Sequence, residues 1–392
     1  MNVLISGAGI AGPTLAFWLQ RYGVTPTLIE QAPALRTGGY VIDFWGAGFE
    51  IADRMGLLPD IRAAGYNVRE VRVVGSNGRR VAGFPVNVFA RATNGRYISL
   101  RRGDLADVLF SRLGEIETVF GDSIANIEQD QHHAMVTFES GIVRPFDLVV
   151  GADGLHSRVR ELTFGAENQF EHYLGLKVAA FEVSGYRPRD ELVYVMYTEV
   201  GRQVARFAMR DDRTMFLLIF ADTAAGIPSD LEEQKTVLRQ RFGGSGWECP
   251  RVMDALGRVS TLYFDRVSQI DIPKASSWAK DRVVLVGDAA SCISLLGGQG
   301  SALAMTAAYL LAGEIHRAGC DYRTAFARYE DRFRPFVAAK QRMAIRFADS
   351  FAPKSNFSMF VRNRMMNLLT IPWVAHLVIG GSFVDALKLP DY

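Results

Sequence analysis

Hydrophobic positions along this chain follow two rhythms. The first is a short apolar run at Asn2–Ser6, a glycine-rich turn, apolar residues at helical spacing over Pro13–Tyr22, and a second apolar run over Pro26–Glu30. Continuous apolar runs flanking a helical pattern predict one βαβ unit and therefore a parallel sheet. From Val68 to Leu100 the rhythm changes to short alternating runs punctuated by Ser76-Asn77-Gly78 and Asn94-Gly95, which predict strands and turns. Arg102–Leu105 opens a further helix, with Asp104 in its first turn where the helix dipole favours an anion. Strands are expected again over Thr118–Val150 and, with strong alternation, over Leu176–Phe264, broken by one helix near Asp230–Phe242. A last apolar strand, Val283–Val286, precedes helices to the end.

This order predicts an α/β fold. A Rossmann-like unit with a parallel sheet is interrupted by a β-rich unit, and its last strand and helix return only after residue 280. The expected division is 1–68 with 99–175 and 266–345 for the nucleotide unit, 69–98 with 176–265 for the β-rich unit, and 346–392 as a C-terminal helical segment. The apolar stretch near Leu368–Gly381 contains Pro372 and His376 and falls short of the ~18 apolar residues a membrane helix requires. It is expected to be a packed helix or interface.

Composition narrows the class. A chain of 392 residues with 49% hydrophobic and 22% charged residues can bury a large core. A net charge of +2, without a basic cluster, argues against nucleic acid as a partner. Three widely spaced cysteines, Cys249, Cys292 and Cys320, lack metal-ligand spacing and suggest a reduced, cytoplasmic setting. The N-terminus enters a strand directly, unlike a signal peptide.

The first turn carries chemistry. Gly7, Gly9 and Gly12 form GxGxxG between a strand and a helix. In that setting Gly7 allows a tight turn, Gly9 lets backbone approach a pyrophosphate, and Gly12 permits close helix packing, with Ile10 and Ala11 at the helix start. Glu30, followed by Gln31, ends the second strand about 20 residues on, where a carboxylate binds ribose hydroxyls and repels a 2′-phosphate. Two later stretches add to this: DLVVGADGLHSRVR (Asp147–Arg160) and VLVGDAASCISLLGGQGSALAM (Val284–Met305).

Taken together, these three ordered motifs resemble the FAD-dependent aromatic hydroxylases, the class A flavoprotein monooxygenases typified by p-hydroxybenzoate hydroxylase. The resemblance implies FAD held by the glycine turn and Glu30, by Asp288, and by the loop and helix start Gly298, Gln299, Gly300, Ser301 and Ala302. It implies an indirect role for Asp153 and Arg160, and a cofactor contact for Arg102, with Arg101 as the alternative. His156 occupies a variable position of that motif and reads as an ordinary, partly exposed histidine. The segment ALRTGGYVIDFWGAGFEIADRMGLL is similar to that of the tetracycline-inactivating monooxygenases, which points to Arg36, Gly38, Gly39 and Asp43 beside the flavin ring. Where relatives carry His, Pro and Asn, this chain has Ser291, Leu295 and Ala302. Cys292 reads as packed.

The implied activity is hydroxylation of a small aromatic or polycyclic substrate using NADPH or NADH and O2 through a C4a-hydroperoxyflavin. Flavin in this chemistry needs positioning and water exclusion rather than an acid–base pair, so no side chain is assigned as catalytic and no metal is expected. No second GxGxxG follows a strand, so the nicotinamide is expected to visit the flavin transiently. Tyr194, Met196, Phe207 and Phe216 are candidate pocket residues on alternating strands, with Arg206 as a polar anchor. Alternatives on the same fold are a reductase, a halogenase (though no WxWxIP segment is present) or a flavoprotein that sequesters its ligand.

Overall fold

The computed structural model describes residues 1–35, 39–371, 374 and 387–392, with 347–349 described by their backbone only. A six-stranded sheet forms the centre of the nucleotide unit. Its spatial order is Ala279–Lys280, Val283–Leu285, Leu148–Gly151, Asn2–Ser6, Thr25–Glu30 and Glu117–Phe120. All pairings are parallel except the edge pair Ala279–Lys280 with Val283–Leu285. Val3, Leu4, Ile5, Leu148, Val149, Val150 and Val283–Leu285 are fully buried. That is the signature of a parallel sheet covered on both faces. Asn2–Ser6 therefore lies between the strand that follows it in sequence and Leu148–Gly151, and the late strand Val283–Leu285 completes the sheet.

Helix Ala11–Arg21 and helix Gly300–Arg317 pack together on this sheet. The long helix Tyr322–Phe351 follows, then Asn356–Leu368, which begins with a Ser355–Ser358 capping box. Pro372 and most of 372–381 lie outside the described residues. Among the described residues no helix is long and apolar enough to cross a membrane.

The β-rich unit is a seven-stranded sheet ordered Tyr263–Ile270, Glu171–Ser184, Arg213–Ala221, Arg202–Ala208, Val193–Glu199, Glu70–Val74 and Arg80–Pro85. Its two faces differ in what covers them. Phe181, Val195, Val204, Phe216, Leu218 and Phe220 pack against helices Leu231–Phe242 and Cys249–Leu256. The opposite face meets residues of the nucleotide unit, with Phe207 and Met215 against Tyr66, Tyr40 and Val41. The helix expected near Asp230 starts at Leu231, and Asp230 caps it by accepting from the amides of Glu232 and Glu233. Helices Asn87–Ala92 and Cys249–Leu256 were not anticipated: the first is too short to show a repeating apolar face, whereas the second carries one at Cys249, Val252, Met253 and Leu256 within a single short stretch. A two-stranded ribbon, Val41–Trp45 with Tyr97–Arg101, bridges the two units.

A cofactor cradle and an aromatic sheet face

Backbone crowding explains two of the three turn glycines. Gly7 has φ +105°, and a Cβ there would sit 2.6 Å from the Ala152 carbonyl oxygen. A Cβ on Gly12 would sit 1.9 Å from the Gly7 oxygen. Gly9 differs: its Cβ would meet only the Arg102 guanidinium, at 3.6 Å, so the space above it is open. The helix behind it, Ala11–Arg21, has neither a capping side chain nor an acid in its first turn. Its first amides are therefore free to bind an anion. Ile10 and Ala11 are themselves buried and offer backbone alone. Glu30 is fixed by two amides, accepting from Ala8 at 2.9 Å and Ala32 at 3.0 Å, while Gln31 beside it is exposed.

Across this opening lies the late motif. Gly287 turns the strand out with φ +64° and Asp288 begins a short helix. Burial raises the Asp288 carboxyl above its ordinary range, and the charge of Arg102 works against that rise. Gly298 adopts the left-handed conformation (φ +62°), and Gln299 follows, buried, with its side-chain oxygen lacking a partner. Gly300 and Ser301 then start the 18-residue helix Gly300–Arg317, which has no acid in its first turn. Ala302 packs onto helix Ala47–Arg54: a Cβ on Gly48 would be 2.5 Å from the Ala302 Cα. A small residue at 302 thus serves helix contact, which accounts for alanine there.

Arg102 joins the two halves. Its side chain is exposed into the opening, its Cβ is 3.7 Å from a Cβ placed on Gly39, and it acts electrostatically on Tyr40 and Asp288. Burial pushes the Tyr40 hydroxyl up to about 12, with Arg102 opposing. Arg101 is instead committed to Asp104 through two bonds of 2.9 and 2.5 Å. Arg36 and Gly38 lie outside the described residues. An open space over Gly9, an orphaned Gln299 oxygen and an Arg102 guanidinium without a hydrogen bond among the described residues fit an anionic, hydrogen-bonding cofactor such as FAD.

The middle motif braces this cradle from behind. Asp153 accepts from the Ser157 hydroxyl (2.5 Å) and the Val159 amide (3.0 Å). Arg160, fully buried, donates to the carbonyls of Ala289 (3.1 Å) and Leu155 (2.7 Å) and to Glu167 (3.1 Å). It therefore ties the Asp153 loop to the residue after Asp288. His156 is more than an ordinary exposed histidine. It bridges Asp265 and Glu167, and those two carboxylates lift its pKa to about 10.

Strand alternation sorts the pocket candidates. Tyr194, Met196 and Phe207 lie on the sheet face directed at the nucleotide unit, and Tyr194 stacks on Phe207 with ring centroids 4.5 Å apart. Arg206 and Phe216 point the other way, which corrects the expectation that they contact substrate. Arg206 pairs with Glu248 and Asp190 and lies under Trp247, while Phe216 is fully buried among the residues that pack against the helices. Met215, Val41 and Tyr66 join the near face. Leu295 and Leu296 pack against Leu176, Val178 and Ile219 of the same sheet. Ser291 is buried. Cys292 is buried beside Asp288, and burial pushes its thiol up. Among the described residues no cluster of His, Cys, Asp or Glu is placed to hold a metal ion.

Comparison with known proteins agrees with this geometry. The family described as "FAD binding domain" matches residues 1–339. A flavin-dependent monooxygenase from an unknown prokaryotic organism is 33% identical over 395 residues, covering 100% of this chain and 99% of the relative. The crystal structure of tetracycline destructase Tet(51) superposes with TM-score 0.85 at 29% identity, over 100% of this chain and 99% of that one. Klebsiella pneumoniae HpxO complexed with FAD and uric acid shares the fold, with TM-score 0.81 at 21% identity over 99% of this chain and 98% of that one. The chain belongs to the FAD-binding-domain family, among its flavin-dependent monooxygenases.

Proposed function

We propose that this protein hydroxylates a small aromatic or polycyclic compound, using NADPH or NADH and O2, in the cytoplasm. One observation carries the reading: Arg102 and Asp288, beside the open space over Gly9, act on Tyr40, and Tyr40 packs with Tyr194 and Phe207 on the facing sheet. FAD, when bound, supplies the hydride acceptor and the centre that activates O2. The glycine turn and the first amides of helix Ala11–Arg21 hold its pyrophosphate, and Glu30 takes the adenosine ribose. Arg102, Asp288, Gln299, Gly300 and Ser301 orient the ring end, where the start of helix Gly300–Arg317 favours negative charge. Gly39 lines the approach, and Asp153 supports the cradle from behind.

The aromatic wall positions an apolar ring and excludes water, which would otherwise divert activated oxygen to peroxide. Polycyclic phenols, including tetracyclines, are reasonable first ligands, given the destructase relative. The test is a flavin absorption spectrum of the purified protein, followed by a panel of aromatic ligands scored for stimulated NADPH and NADH oxidation. Stimulation by aromatic ligands, without full recovery of the oxygen as peroxide, supports the reading. A flavin-bound protein that no ligand stimulates would instead be a ligand-sequestering flavoprotein.

A further inference from the structure

We infer that Asp43 is the polar anchor of the substrate site. It selects aromatic ligands that bring a hydrogen-bond donor, whether a hydroxyl or a protonated nitrogen, and turns away aromatic carboxylates. The inference rests on the proposed function, in which the substrate lies against this face.

Asp43 sits in the middle of strand Val41–Trp45, opposite Ser99. Alternation sends Ile42 and the fully buried Phe44 into the core of the nucleotide unit. Val41 and Asp43 face the other way, and Val41 packs with Tyr66, Phe207, Met215 and Tyr194. Asp43 therefore belongs to the same wall as the near face of the seven-stranded sheet. Its Oδ1 accepts from the Tyr97 hydroxyl at 2.5 Å and the Ser99 hydroxyl at 2.7 Å. Both donors meet the same oxygen. Oδ2 receives no hydrogen bond among the described residues, and the side chain borders open space.

The surroundings are aromatic rather than cationic. Tyr97 stacks on Phe89, and Tyr194 stacks on Phe207. Tyr194 and Tyr97 both feel the charge of Asp43, whereas no lysine, arginine or histidine among the described residues pairs with it. Arg101, on the paired strand, is held by Asp104. Arg102 acts on Asp288 and Tyr40, in the cradle. Enclosure raises the Asp43 carboxyl above its ordinary range although the group borders open space. A carboxylate with one bare oxygen in apolar surroundings gains most from a ligand that donates to it, and it repels a second carboxylate.

The test titrates the FAD-loaded protein with a naphthol, the matching naphthylmethylammonium and the matching naphthoate, read by perturbation of the flavin spectrum. The naphthol and the ammonium should bind about tenfold or more tighter than the naphthoate, as expected for like charges brought together at close range. Asp43→Asn should close most of that gap, by weakening the ammonium and strengthening the naphthoate. Tyr97→Phe, which leaves the acid but removes one internal donor, should preserve or widen it. Naphthoate binding as tightly as naphthol to the unmodified protein would overturn the inference, even if the Asn variant fails to fold. So would an unchanged ratio in Asp43→Asn, or no binding by any of the three. Failure of the proposed function would look different: no FAD in the purified protein, or no ligand-stimulated NAD(P)H oxidation, whatever the order of binding.

Discussion

Substituting Gly9 with alanine separates cofactor binding from folding. A Cβ at this position lies 3.6 Å from its nearest neighbour, the Arg102 guanidinium, which is ordinary contact with a movable group. Gly9 does not occupy the left-handed region, so alanine introduces no backbone strain. The apoprotein should therefore change little, or gain about 0.4–1 kcal/mol from a stiffer unfolded chain. A pyrophosphate laid over Gly9 must instead yield to the methyl group. Overpacking of that kind costs about 1–3 kcal/mol, or roughly 5- to 150-fold in FAD affinity. Gly12→Ala is the contrasting variant: its Cβ would sit 1.9 Å from the Gly7 oxygen, so it should destabilise the apoprotein by several kcal/mol, of the order of ~3 or more. Urea unfolding of the apoproteins measures the first effect, and fluorescence titration with FAD measures the second. Unchanged FAD affinity in Gly9→Ala, or an apoprotein destabilised as much as Gly12→Ala, would refute the assignment of the open space to the cofactor.

Other outcomes follow from the bracing network. Arg160→Leu should lower stability by about 2–3 kcal/mol and weaken FAD binding with it, because the buried Ala289 carbonyl, the part-buried Leu155 carbonyl and Glu167 lose their donor; unfolding with and without FAD checks both effects. His156 has its pKa raised from 6.5 to about 10 by Asp265 and Glu167, so its stabilisation is complete below pH 6.5 and fades as pH rises through 10. Wild type should exceed His156→Gln in urea midpoint at pH 6 and approach it above pH 10; because the ring is half exposed, the difference at pH 6 should be about 1 kcal/mol at most. A difference independent of pH would exclude the ion-pair explanation. Tyr392 donates to Glu314, a fully buried residue, at 2.7 Å, so Tyr392→Phe should cost about 1–3 kcal/mol in thermal or urea unfolding.

The cofactor half of this molecule was legible because its constraints are local. Gly7, Gly9 and Gly12 lie within one strand–turn–helix, and Asp288 and the glycines around Gln299 repeat that logic at a second strand end. The pocket was less legible. Alternation shows that Arg206 and Phe207 face opposite ways but cannot say which face a helix covers, and helix Cys249–Leu256 with Glu248 claimed the Arg206 side. His156 reads as a partly exposed histidine and the motif leaves the contacts of Arg160 unspecified, since their partners Ala289, Glu167 and Asp265 come together only in the fold. Asp43 is similar. Its setting depends on pairing with Ser99 across the ribbon and on Tyr194 from a third segment, separations that no short motif encodes.

Oxygen transfer itself is the central claim, and labelled dioxygen tests it most directly. The FAD-loaded protein would be turned over with NADPH or NADH under ¹⁸O₂, in the presence of an aromatic ligand that stimulates the oxidation, and the product weighed by mass spectrometry. The heavy isotope should enter the product from the gas and not from labelled water. An unlabelled ligand, with all the consumed oxygen recovered as hydrogen peroxide, would contradict the claim.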